Sequence, residues 1–194
     1  MASFRGVFAC LQALQDLLTP RIEADLGTIL DHPRVTLLGS RDLRNAPTGN
    51  ALGIYLHRIS VDPIGRNRHL QPARPSQPAR PELPVNLHIL LLGWCAGAAA
   101  EATVVAWAMQ QIASFPVLDA SHLAPLDPFW GSQDTIQIIP EEMPTEDLMR
   151  IWDSIRHEYV LSSPCLVKSI RLEPAALPVA GPPVRTVLVP VGEV

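Results

Sequence analysis

The stretch from Glu82 to Ile112, ELPVNLHILLLGWCAGAAAEATVVAWAMQQI, narrows the folds open to this chain more than any other. From Val85 to Leu92 the residues alternate, with Val85, Leu87, Ile89 and Leu91 pointing one way and Asn86, His88, Leu90 and Leu92 the other. A strand that becomes apolar on both faces belongs inside a sheet that is covered on both sides. Gly93 to Gly97 interrupts the alternation, and from Ala99 onward Val104, Val105, Ala108, Met109 and Ile112 recur at helical spacing. The unit is a buried strand, a tight turn and an amphipathic helix.

The rest of the chain supplies partners for that unit. Phe4, Val7, Phe8, Leu11, Leu14 and Leu18 predict a first helix lying on the sheet, with Ser3 as its cap and Pro20 as its end. A shorter helical piece follows over Arg21–Leu30, then a short strand around Val35, Leu37 and Leu38, and a surface loop from Gly39 to Gly49. Leu52–Val61 alternates as a strand, Ile54, Leu56 and Arg58 on one face and Tyr55, His57 and Ile59 on the other. Phe115 to Gly131 reads as loop, Thr135 to Ile139 as a short strand, and Cys165–Leu172 as another. Between those strands Thr145 caps a helix whose inner face is Leu148, Ile151, Trp152 and Ile155, with Glu146 and Asp147 at its positive end. The expected organisation is one domain over residues 1–172 and a Pro-rich tail, 173–194, whose β-prone patch Arg185–Val191 suits strand addition to a neighbour.

Composition sharpens the functional reading. The 194 residues are 47% hydrophobic and only 18% charged, which leaves little charge to solvate a monomer and is compatible with burial in an assembly. A net formal charge of −4 gives no general attraction to nucleic acid or to anionic membrane. Cys10, Cys95 and Cys165 are scattered and lack CxxC spacing, as expected for a reducing compartment. The first residues lack the uninterrupted apolar core of a signal peptide, and the longest apolar stretch, Leu87 to Met109, is broken by Gly93, Gly97 and Glu101, so export and membrane insertion are not expected.

Against this background the segment 62–84 stands out. Pro72, Pro75, Pro78, Pro81 and Pro84 recur at every third position, the period of a polyproline II helix, and Arg66, Arg68, Arg74 and Arg80 make it the one basic stretch in an acidic protein. A connection this long without secondary structure is usually functional or a spacer. With Arg58 and Asn67 these arginines are the candidate protein-contact residues; the plainer reading is a solvated linker. An enzymatic alternative comes from Gly93-Trp94-Cys95-Ala96-Gly97, which fits the G-x-C-x-G turn of a nucleophile elbow with Asp119, His122, Asp134 and His157 as distant partners. Repeated βαβ units and a Gly-rich oxyanion loop are missing from the sequence, so Cys95 also reads as a small buried hydrophobe. The histidines show no metal-ligand spacing, no Walker or GxGxxG motif is present, and no cofactor is expected. A third reading is an adaptor whose PxxP loop binds an aromatic groove.

The pieces LGIYLHRISVDPIGRNR, PELPVNLHILLLGWCAG, SFPVLDASHL, IQIIPEEMPTEDLMRIWDSI and SPCLVKSIRLE, in that order, resemble the successive blocks of the tail terminator, or cap, proteins of bacterial contractile injection systems. The likeness covers about residues 1 to 172, and the Pro/Arg loop and the GWC turn depart from it. The resemblance implies an α/β (α+β) fold with a single mixed, mainly antiparallel sheet flanked by about three helices. It also implies a structural, non-enzymatic subunit that forms a homo-oligomeric ring of six, ends polymerisation and joins sheath to inner tube. Such a protein assembles in the bacterial cytoplasm and then becomes part of a phage-tail-like particle, without nucleic acid or direct membrane insertion.

Overall fold

In the protein, a computed structural model describes residues 2–44, 47–69, 82–155 and 158–173. The core strand is the longest in the sheet: β3, Leu83–Trp94, pairs antiparallel over Val85 to Trp94 with β2, Ala51–Val61, on one side and over Leu83 to Leu92 with β6, Ser162–Leu172, on the other. Beyond β2 lies β1, Arg34–Leu38, parallel to it, and beyond β6 lie β5, Ile136–Pro140, and the two-residue β4, Val117–Leu118. The order β1-β2-β3-β6-β5-β4 makes the sheet mixed and mainly antiparallel, as expected.

Both faces of β3 are covered. Leu87, Ile89 and Leu91 pack with helices α1, Gly6–Leu26, and α3, Ala98–Ser114, through Leu14, Leu18, Ile22, Val104, Ala108 and Ile112. Leu90 and Leu92 face the other way, into a second cluster closed by Trp152 of α5, Thr145–Ile155. Two short α-helices, α2, Pro63–His69, and α4, Ala120–Leu123, complete the described set, with a single 3-10 turn at Asp42–Arg44 that buries Leu43 within the expected Gly39–Gly49 loop. Their presence corrects two expectations, since residues 115–131 hold β4 and α4 and the segment 62–84 opens with a helix and closes inside β3. Four of the five recurring prolines, Pro72, Pro75, Pro78 and Pro81, lie outside the described residues, and so does the tail beyond Glu173.

The first helix also differs from its sequence reading. It runs through Pro20 without stopping, so the two expected helices are one. An interior proline costs roughly 3 kcal/mol through its missing N–H and ring clash. Here Leu14, Leu18, Ile22 and Leu26 form an unbroken buried stripe across it, and tertiary packing outweighs the local cost. The Thr19 hydroxyl donates to the Gln15 carbonyl just before the proline. The inner face is offset from the expected one: Ala9, Cys10 and Ala13 are buried, whereas Phe4 and Phe8 are 83% and 61% exposed. Small residues let the helix sit close to the sheet, and the two aromatics fall on the solvent side.

In β2 the expected alternation fails at His57, where the pairing with β3 shifts register between Leu56 and Arg58. Before this bulge Ile54 and Leu56 pack into the core under α1 and α3; after it Ile59 and Val61, opposite Leu87 and Val85, continue that sheet face as exposed side chains, and Arg58 leaves the face it was expected to share with Ile54 and Leu56. Truncation of Ile89 to Ala, at the centre of the sheet, is expected to lower the unfolding free energy by about 2–5 kcal/mol. Phe8→Ala is expected to stay within about 0.5 kcal/mol of the parent. Urea denaturation of both variants separates the observed inner face of α1 from the one its sequence suggests.

Candidate functional site

The hairpin of β2 and β3 outruns β1. β1 pairs with β2 only as far as Tyr55, so among the described residues Leu56–Val61 has an edge with no neighbouring strand. The strands end at Asp62, whose backbone N–H donates to the Pro84 carbonyl and whose carboxylate accepts from the Ile64 N–H at 3.0 Å. With Pro63 at the first helical position, this cap starts α2. Gly65 lets α2 lie against β3, because a Cβ there would sit 3.1 Å from the Pro84 Cβ. The hairpin end exposes Ile59, Val61, Ile64 and Leu83, apolar side chains beside the basic residues.

Of the candidate contact residues, Arg58 is exposed on β2 just past the bulge and Arg66 is exposed on α2. Asn67 and Arg68 continue α2, while Arg74 and Arg80 lie outside the described residues. The exposed apolar residues were not singled out from the sequence. Strict alternation puts Ile59 with Tyr55 and His57, and only the register shift at His57 brings Ile59 and Val61 onto the apolar face.

Beside Arg58 a polar clamp joins three elements. His88 of β3 bonds through Nδ1 to the Glu141 carboxylate at 3.0 Å and through Nε2 to the Ser60 hydroxyl of β2 at 2.9 Å. The ring of His57 meets that of His88 edge-on at 6.0 Å, and its buried Nε2 has no hydrogen-bond partner among the described residues. A cavity of about 410 Å³ opens here, with Arg58, Glu142 and Asp147 among its lining. Burial lowers the His57 pKa below its ordinary value, the neighbouring His88 and Arg58 add to that, and Glu141 opposes it. The cluster fixes the β5–α5 connection against the hairpin.

The nucleophile-elbow reading of Cys95 does not survive the geometry. Gly93 lies within β3, and its missing side chain serves packing: a Cβ there would come within 2.9 Å of the Glu101 carbonyl and the Val105 side chain of α3. Gly97 is the extended residue that precedes α3. Among the described residues His32 is the one non-glycine with positive φ, so Cys95 lacks the strained backbone of an elbow. Burial raises the Cys95 thiol, Glu101 adds to this, and a backbone hydrogen bond from Ala51 only partly offsets it. Cys165 is pushed up to about 12 by burial and by Glu141, and Cys10 is raised in the same direction. The supposed partners are engaged elsewhere. Asp119 accepts from the Ser121 hydroxyl and pairs with His122 at 2.9 Å, which draws its carboxyl down to about 2, and Asp134 receives the Arg171 guanidinium at 2.7 Å. His157 lies outside the described residues. No group of His, Cys, Asp and Glu among the described residues is arranged to hold a metal ion, and no described helix is long and apolar enough to cross a membrane.

A mixed sheet with α1 and α3 on one face and α5 on the other makes this an α/β domain, and its fold is similar to that of tail-terminator structures. The chain belongs to the family of Pvc16 N-terminal domains, whose model matches residues 9–186. Its fold is similar to the PVC sheath/tube terminator of an extracellular contractile injection system in the extended state, with TM-score 0.53 and 16% identity over 97% of this chain and 64% of that one. It is also similar to the tube terminating cap of the anti-feeding prophage, with TM-score 0.50 and 14% identity over 77% of this chain and 52% of that one. The chain therefore spans less than two thirds of the length of these two structures. No curated protein matches it.

Two measurements check the site. Because the folded pKa of His57 lies below the unfolded value, the unfolded chain binds more protons as the pH drops through about 6.5. The stability associated with neutral His57 is present above that pH and lost below it. Unfolding midpoints are expected to fall between pH 7 and pH 5, and His57→Gln to flatten that slope. At pH 7 the Cys95 thiol is expected to alkylate more slowly than a free cysteine, and Cys95→Ser to leave the labelling by thiol-reactive ester probes unchanged.

Proposed function

We propose that the protein is a structural cap subunit that closes the end of the tube and sheath of a contractile injection system, and that it is not an enzyme. Membership of the Pvc16 N-terminal domain family carries this reading, supported by a fold similar to that of a sheath/tube terminator and a tube terminating cap. Copies of the chain form a ring of six, each joined to the next through unlike surfaces so that rotation closes the circle. The ring docks on the last rings of tube and sheath, offers no surface for a further ring, and holds the sheath's end to the tube.

The hairpin end supplies one contact of that assembly. Its exposed Ile59, Val61 and Leu83 provide apolar area, and Arg58, Arg66, Asn67, Arg68, Arg74 and Arg80 direct it to an acidic surface of sheath, tube or neighbouring subunit. The unpaired edge at Leu56–Val61 is open to strand addition, which distributes mechanical load over backbone hydrogen bonds. Assembly proceeds in the bacterial cytoplasm, needs no cofactor or nucleic acid, and ends with the subunit as part of the particle.

Particles made without this protein are expected to show uncontrolled tube or sheath lengths by electron microscopy, and normal lengths in its absence would overturn the proposal. Replacing the five arginines and Asn67 by alanine is expected to leave the circular dichroism spectrum unchanged and to abolish capped particles. Capped particles formed normally by that variant would remove the basic hairpin from the contact. Ring formation by the parent protein is expected to weaken as salt is raised from 0.05 to 0.5 M, since a mainly electrostatic contact is screened over roughly 10 Å at 0.1 M.

A further inference from the structure

All four phenylalanines of the chain are surface residues: besides Phe4 and Phe8, Phe115 and Phe129 are 43% and 56% exposed, while the core is built from Leu, Ile, Val and Trp. Phe115 is stacked under the Arg21 guanidinium at 3.7 Å. Phe4 and Phe129 instead line a groove of about 630 Å³ together with Arg5, Pro128 and Glu173. Exposed aromatics around a preformed concavity mark a docking surface.

The floor of this groove is rigid. Asp127 is buried, and one of its carboxylate oxygens accepts from both the N–H and the hydroxyl of Ser3 at 2.9 Å, while the other accepts from the Phe129 N–H at 3.1 Å. One carboxylate thus ties together the backbone carrying Phe4 and that carrying Phe129. The chain leaves β6 at the same place. Ala2 forms a parallel bridge with Leu172, its N–H donating to the Arg171 carbonyl at 2.8 Å and its carbonyl accepting from the Glu173 N–H at 2.9 Å. Glu173, the last described residue, therefore lies in the wall of the groove, and the next residues are Pro174-Ala175-Ala176-Leu177-Pro178.

We propose that this Pro174–Pro178 segment docks into the Phe4/Phe129 groove of its own chain as a polyproline-type strap. Its chemistry fits the two phenylalanines: it is uncharged and apolar and begins and ends in proline, and proline-rich segments bind aromatic-lined grooves at low entropic cost. Five residues in that conformation reach about 15 Å, enough to run along a groove that begins at Glu173. Attachment also favours the same chain over a second copy, because a tethered segment has an effective concentration in the millimolar range. The proposal stands whether or not the chain caps a particle.

The test uses the full chain with the photoreactive residue benzoylphenylalanine at position 129, irradiated as an equal mixture of ¹⁴N- and ¹⁵N-labelled protein. The expected product joins position 129 to residues 174–180 of the same isotope, and it is lost in a Leu177→Asp/Pro178→Asp variant whose circular dichroism is that of the parent. Crosslinks between unlike isotopes would assign the groove to a second copy, and crosslinks that miss the tail would assign it to another segment. Either result overturns the proposal, as does a product that persists in the double variant.

Discussion

Everything in this molecule follows from the two-sided burial of β3. A strand that carries Leu87, Ile89 and Leu91 on one face and Leu90 and Leu92 on the other, all fully buried, requires helices above and below it. The chain meets that demand unequally. Two long helices, α1 and α3, cover one face and the single α5 covers part of the other, with Trp152 as its main contribution. Where α5 begins, the second face turns from apolar packing to the hydrogen-bonded cluster of Ser60, His88 and Glu141. A buried polar group costs free energy unless paired, so this cluster holds its geometry tightly or not at all.

The same demand explains the GWCAG turn. The glycine that suggests a nucleophile elbow in the sequence is the point at which α3 crosses closest to β3, with no room for a Cβ between Gly93 and Glu101. A close helix–strand crossing and an elbow ask for the same residue in the same place. What separates them is the backbone of the next residues and the ionisation of the thiol, neither of which a motif contains. Cys95 has ordinary backbone and a thiol pushed up by burial, and so the most enzyme-like part of the sequence is a packing device.

The legible parts of the fold were those governed by long apolar periodicity. β3, α3 and α5 were readable because burial on a fixed period leaves a strong pattern in the residues themselves. Pro20 inside α1 was not, because the local cost of proline is visible in sequence while the packing stripe that outweighs it becomes visible only once the sheet is in place. Nor was the bulge at His57, a single-residue shift that moves Arg58, Ile59 and Val61 to the opposite faces from those a strict alternation assigns. Phe4 and Phe8 misled for a related reason: they fit the helical period, but Ala9, Cys10 and Ala13 fit it too and allow closer approach. Of the candidate site, the basic character of 62–84 was apparent at once, whereas the apolar surface beside it depended on where the helices stop.

Register, finally, gives the molecule a polarity. Leu83 pairs with Leu172, and Ala2 pairs with Leu172 in turn, so the end of the β2–β3 hairpin, the exit of β6 and the beginning of the described chain meet at one end of the sheet. The exposed Ile59, Val61, Leu83 and Phe4 gather at that end, together with the roots of the 62–84 segment and of the C-terminal tail. At the opposite end Trp94 is buried in the second cluster and Leu43 closes over it. The asymmetry follows from the register: β3 pairs with β2 out to Val61 and with β6 out to Leu172, whereas β1 stops opposite Tyr55, so the apolar side chains at this end of β2 lie beyond the last strand beside them.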